Sequence, residues 1–208
     1  MKLFIESCCT SLESAVRAWR SGAGRIELCE NLPVGGVTPS AELTKAVIES
    51  VDIPVNVLVR PRGGDFVYSE AEVQEMLDSI ESCRQLGAAG VVIGALRSDG
   101  SVDMEAMGRL VSAAWTGRRM SVTFHRAFDV CTNPSGAFED IISLGCDRLL
   151  TSGHEATAYE GRHFIGELVR KSAGRIVVMA GCGVRPSNIE EISRASSAPE
   201  YHSSCFWD

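Results

Sequence analysis

Apolar and polar positions fall into two alternating kinds of segment along this chain. Short, mostly apolar runs of β character are each followed by a longer stretch with apolar residues at helical spacing. The runs 3–7, 25–29, 55–60, 90–96, 121–128, 148–152, 175–180 and 200–204 predict eight strands. The segments 12–21, 41–50, 70–86, 104–114, 134–144, 160–171 and 188–194 predict seven helices between them. Ser69 stands where it can cap the third helix, and glycines such as Gly87, Gly145 and Gly174 end helices just before the next strand. One βα unit recurring about every 25–30 residues, with no linker, predicts an α/β fold: a parallel (β/α)₈ TIM-type barrel over residues 1–208 as one domain. An open doubly wound sheet fits less well, because the first strand ends in Glu6-Ser7-Cys8 rather than in a GxGxxG turn. The chain stops just past the eighth strand, so the eighth helix is expected to be missing. An uncovered apolar patch, and self-association as a homo-oligomeric dimer, are expected there.

In such a barrel the chemistry gathers at the C-terminal ends of the strands. The first strand presents Glu6 and Cys8 and the second Glu27 and Cys29, at the same two-residue spacing and therefore with the same facing. On the third strand Asn56 and Arg60 share a face, and the stretch IPVNVLVRPRGGDFVYS carries Arg60 into a loop with Arg62, Gly63-Gly64 and Asp65. That loop reads equally well as an internal Arg–Asp pair or as one side of a pocket. The fifth strand brings His125, Arg126 and Asp129, the sixth Thr151-Ser152, and the eighth His202, Ser203 and Ser204. Two inward glutamates would repel if both were ionised, so the arginines and a histidine on the same rim are expected to compensate them. Gly181-Cys182-Gly183-Val184 after the seventh strand is a glycine-lined turn into a helix, and with Ser203 and Ser204 it is the candidate anion cradle. Schiff-base chemistry is disfavoured, since Lys2, Lys45 and Lys171 all lie away from the strand ends.

The formal charge of −7 argues against a nucleic-acid partner, because phosphate contacts need a basic face. No run approaches the roughly 18 apolar residues of a membrane span, and Met1-Lys2 leads directly into a strand, so a cytoplasmic protein is expected. The eight cysteines show no CxxC spacing and are expected as thiols; zinc is disfavoured on the same ground and by the absence of HExxH. Cys8 and Cys29 can approach each other across neighbouring strands. A sulfur pair of that kind suits Cu(I), although small apolar filling is the usual use of strand cysteines.

The segments IELCENLPVGGVTPS, IPVNVLVRPRGGDFVYS, VTFHRAFDVCTNP, LLTSG and VVMAGCGV resemble the CutC copper homeostasis family, in order over nearly the whole chain. The resemblance implies a cytoplasmic (β/α)₈-type barrel that forms oligomers and has a link to copper. It places the family's signature positions on Glu6, Glu27, Cys29, Arg60, Arg62, Asp65, His125, Arg126 and Asp129, with Cys8 where a cysteine is common after the first strand. It also implies several tens of further residues after the eighth strand, where CFWD departs from the family pattern. Two functions follow as expectations. One is Cu(I) binding or trafficking through Cys8 and Cys29. The other is an enzyme acting on a small anionic or phosphorylated metabolite, with the arginines holding the anion and His125 and a glutamate exchanging protons.

Overall fold

The computed structural model describes residues 3–204 and 206. The eight strands β1 (Phe4–Cys9), β2 (Arg25–Leu28), β3 (Val55–Leu58), β4 (Gly90–Ile93), β5 (Ser121–Phe124), β6 (Arg148–Thr151), β7 (Val177–Gly181) and β8 (Glu200–Ser203) pair in parallel and in chain order, and β8 pairs back onto β1. The barrel is therefore closed by strand pairing, with no eighth helix among the described residues. Among the described residues seven α-helices surround it: α1 (Leu12–Arg20), α2 (Ala41–Ser50), α3 (Glu70–Leu86), α4 (Met104–Trp115), α5 (Pro134–Ser143), α6 (Arg162–Ser172) and α7 (Ile189–Ser196).

The local signals act as their chemistry requires. Ser69 and Glu72 form a reciprocal capping box at the start of α3, and Gly87 closes that helix at φ +91°, where a side chain would be strained. The fifth strand is shorter than its apolar run suggests. His125 Nδ1 accepts the Ala127 N–H, which turns Arg126–Val130 into a 3-10 segment instead of further strand. A second 3-10 turn, Leu32–Val34, follows β2.

Two environments result from the alternation along each strand. Outward residues such as Ile26, Val57, Phe124 and Leu149 pack with Met76, Leu110, Phe138 and Ile165 of the helices in the main apolar core. The barrel interior, usually filled by branched aliphatic residues, is instead strongly polar. Glu6, Arg25, Glu27, Asn56 and Thr123 are all buried there. Its mouth carries a small apolar cluster, formed by Cys8, Cys29, Leu58 and Val92. Outward Ile5, Cys9 and Tyr201 on β1 and β8 are 5%, 2% and 0% exposed, and Phe206 packs onto the core. These outward positions are covered, so the open apolar patch expected beside β8 is not found there. Cys205, Trp207 and Asp208 lie outside the described residues. No helix among those described is long and apolar enough to cross a membrane.

Candidate functional site

A cavity of about 370 Å³ opens at the C-terminal mouth of the barrel. Cys8, Glu27, Cys29, Arg60, His125 and His202 supply part of its polar wall, with Arg126 and Arg185 adding to it, and Leu58, Phe66 and Leu150 part of its apolar one. The strand register sets Cys8 opposite Glu27, with Cys29 one step further on the same inward side. The Cys8 and Cys29 sulfurs consequently meet at 3.6 Å. Cys8 Sγ, a Glu27 carboxylate oxygen and a His202 ring nitrogen also lie within 4.8 Å of one another, a group that could hold a metal ion.

Beneath the sulfurs the glutamates are compensated by groups other than those expected. Arg25 Nε pairs with Glu6, and Arg25 Nη2 reaches Glu200 at 2.5 Å. His202 Nδ1 hydrogen-bonds Glu6 Oε1 at 2.8 Å. It also lies 3.2 Å from Glu27 Oε2, which has no hydrogen-bond partner of its own because the Nδ1 proton is directed at Glu6. Burial alone would raise the Glu6 carboxyl, but the His202 hydrogen bond and the Arg25 charge outweigh it and hold the group at about 2. Burial and the Glu6 charge push Glu27 up to about 7, against the pull of His202 and Arg25. Burial disfavours the His202 imidazolium, yet the two carboxylates keep it charged up to about 9. The hydrogen bond with Cys29, burial and the Glu27 charge together push the Cys8 thiol well above its ordinary range.

The compensating histidine is therefore His202, and His125 has another environment. Its ring lies against Phe66 and is neutral: burial and the Arg60 charge bring it down to about 3. Gly94 is what lets it lie there, since a Cβ at that position would stand 2.6 Å from the His125 ring atoms Cε1 and Nδ1. Arg60 does line the cavity, but its guanidinium also ties two loops together through Val34 O, Gly36 O and Gly64 O. Arg62 and Asp65 do not reach the mouth. Arg62 lies over Tyr68 and pairs with Asp65 at 3.0 Å and with Glu72, so this half of the glycine loop is an anchor on the N-terminus of α3. Asp129 is likewise a structural acceptor. It takes hydrogen bonds from Thr151 Oγ1, Ser152 N, Ser152 Oγ, His154 N and Arg126 Nε, and it holds Arg126 at the rim.

The glycine turn after β7 is only partly the cradle its sequence suggests. Gly183, Ser203 and Ser204 line the cavity, whereas Gly181 is packed under Leu150. Ser203 Oγ donates to Val184 O, Asn188 Oδ1 takes the Arg185 N–H, and the Asn188 and Ile189 N–H groups both turn back onto Arg185 O. The Arg185, Asn188 and Ile189 donors are thus spent within the turn. Arg25, whose two-residue spacing from Glu27 gives it the same facing, is the site-supporting residue that strand-end reasoning passes over. It sits at the start of β2, away from the rim.

The model of the CutC family matches residues 3–206. A CutC family protein of Parabacteroides distasonis is 50% identical over 205 residues, covering 98% of this chain and 83% of its own. The mouse (Mus musculus) protein named copper homeostasis protein cutC homolog is 48% identical over 200 residues, covering 96% of this chain and 72% of its own. Among solved structures, a Streptococcus agalactiae protein described as a copper homeostasis protein CutC superposes with a TM-score of 0.91 at 31% identity, over 99% of this chain and all of that one. The N-(5'-phosphoribosyl)anthranilate isomerase of Pyrococcus furiosus shares the fold alone, with a TM-score of 0.62 at 18% identity over 98% of this chain and 88% of that one.

Proposed function

The chain belongs to the CutC family, and from that premise we propose that it is a copper homeostasis protein taking up Cu(I) on the Cys8 and Cys29 sulfurs. The observation that carries this reading is the 3.6 Å approach of the two sulfurs in the wall of an open cavity. Cu(I) is a soft ion that favours thiolates. Two sulfurs each about 2.3 Å from one ion stand at most about 4.6 Å apart, so this pair lies within reach of a single ion. Cys8 also stands within 4.8 Å of a Glu27 oxygen and a His202 nitrogen, a harder set of groups that shares one sulfur with the pair. Bound copper would supply a soft cation that replaces the thiol protons. Because burial and its neighbours keep Cys8 protonated, uptake expels protons and the apparent affinity rises with pH.

Titration with Cu(I) under reducing conditions against a competing chelator measures this. One ion per chain is expected, with affinity increasing from pH 6 to pH 8, and the Cys8→Ser/Cys29→Ser protein is expected to lose the site. Equal stoichiometry in the two proteins would remove the assignment. A reducing cytoplasm suits the reading, since the described cysteines are all free. Self-association as an oligomer belongs to it through the family resemblance.

A second reading is favoured by the size of the cavity, which far exceeds what one ion fills. It is that the mouth holds a small organic anion, with Arg60, Arg126 and the His202 imidazolium supplying positive charge.

A further inference from the structure

Arg60 is 5% exposed, and no carboxylate of the described residues lies within 4.0 Å of its guanidinium nitrogens. A buried cation is costly unless hydrogen bonds and an opposite charge compensate it. Three backbone carbonyls accept from its terminal nitrogens, but its Nε–H has no partner. His125, also 5% exposed, presents a second donor of the same kind. Its Nδ1 accepts the Ala127 N–H, so the ring proton of the neutral form is on Nε2, and Nε2 too has no partner. The two side chains flank one ring: the Arg60 guanidinium carbon lies 4.8 Å from the Phe66 centroid and the His125 ring 4.9 Å from it. The Nδ1–Cε1 edge of His125 faces Gly94, and the residue lines the same cavity as Arg60.

We propose that Arg60 and His125 form a binding site for the carboxylate of a small organic acid whose apolar body lies along Phe66, Leu58 and Leu150. This inference rests on the small-anion reading of the same mouth and names its ligand class. A planar carboxylate offers two oxygens to two N–H donors, one of them cationic, and its charge supplies what Arg60 lacks. The apolar wall selects for a hydrocarbon portion.

The test uses hexanoate, benzoate and 4-methyl-2-oxopentanoate as probes, with hexanamide, benzamide and inorganic phosphate as controls. Binding is followed by the imidazole ¹⁵N correlation of His125 and by thermal shift. A carboxylate probe is expected to move the His125 Nε2–H signal and raise the melting temperature, with no response to its amide. His125→Asn keeps an acceptor for the Ala127 N–H and deletes the Nε2 donor; it is expected to weaken binding about tenfold or more. Arg60→Lys, which keeps the charge but loses Nε, is expected to weaken it similarly, with the backbone spectrum of each variant reporting its fold. Amides binding as well as acids, or full affinity in folded His125→Asn, overturns the assignment. Phosphate binding without any carboxylate binding overturns the carboxylate assignment and leaves the anion reading standing, whereas no response to any anion overturns both.

Discussion

At the scale of single residues, two glutamates on neighbouring strands are shifted in opposite directions because their partners differ. Glu6 has both a guanidinium and an imidazolium on its oxygens, whereas Glu27 shares the imidazolium only at a distance and faces the Glu6 charge. The consequence is a stability that peaks on the acid side of neutrality. Glu6 is depressed from 4.5 to about 2, so its contribution is complete above pH 4.5 and is lost as pH falls toward 2. Glu27 is raised from 4.5 to about 7, so its contribution is complete below pH 4.5 and is lost as pH rises to 7. His202 is raised from 6.5 to about 9, so its contribution is complete below pH 6.5 and is lost as pH rises to 9. Urea midpoints measured from pH 3 to pH 9 are expected to be highest near pH 5 and to decline in both directions; a flat profile from pH 5 to pH 9 would contradict this assignment of protons. The facing of Glu6, Glu27, Cys8 and Cys29 was legible from two-residue spacing. Which histidine serves the glutamates was not, because spacing along one strand carries no information about register with another.

At the scale of elements, helices and strands were read with small errors at their ends, since capping serines, terminal glycines and apolar period are all local signals. The loops were read less well. Arg62 and Asp65 bind each other and α3, and Arg60 is spent largely on carbonyls, because a loop must satisfy its own backbone before it can serve a ligand. The strand end at His125 depends on Gly94 across the sheet, and this dependence can be tested. Gly94→Ala places a Cβ 2.6 Å from the His125 ring and is expected to cost about 1–3 kcal/mol in urea unfolding. Gly108→Ala is the contrasting change. It lies within α4 with nothing inside 4 Å of the new Cβ, and it is expected to gain up to about 1 kcal/mol. Equal effects of the two substitutions would mean that the His125 position is not set by the glycine.

At the scale of the whole molecule, the unusual feature is a line of alternating charge through the barrel: Arg148, Glu200, Arg25, Glu6, His202 and Glu27. Removing one member leaves its neighbours buried without compensation, which costs far more than the loss of an exposed pair. Arg25→Met is therefore expected to lower stability by about 3–5 kcal/mol, while Arg109→Met, which breaks the exposed pair with Glu70, leaves the midpoint near wild type. Comparable losses from both would show that the interior line carries no special weight. The sequence by itself determined the strand and helix order, the parallel barrel, and the set of side chains that face inward, because each depends on periodicity over a few neighbouring residues. Only the tertiary structure decided which inward groups touch. His202 reaches Glu6 across 196 positions of chain when β8 closes onto β1, the stagger between the strands pairs Cys8 with Cys29 and Glu6 with Arg25, and Arg60 and His125 each pack against Phe66. Register around a closed barrel is fixed by all eight strands together, so no local stretch of sequence contains it.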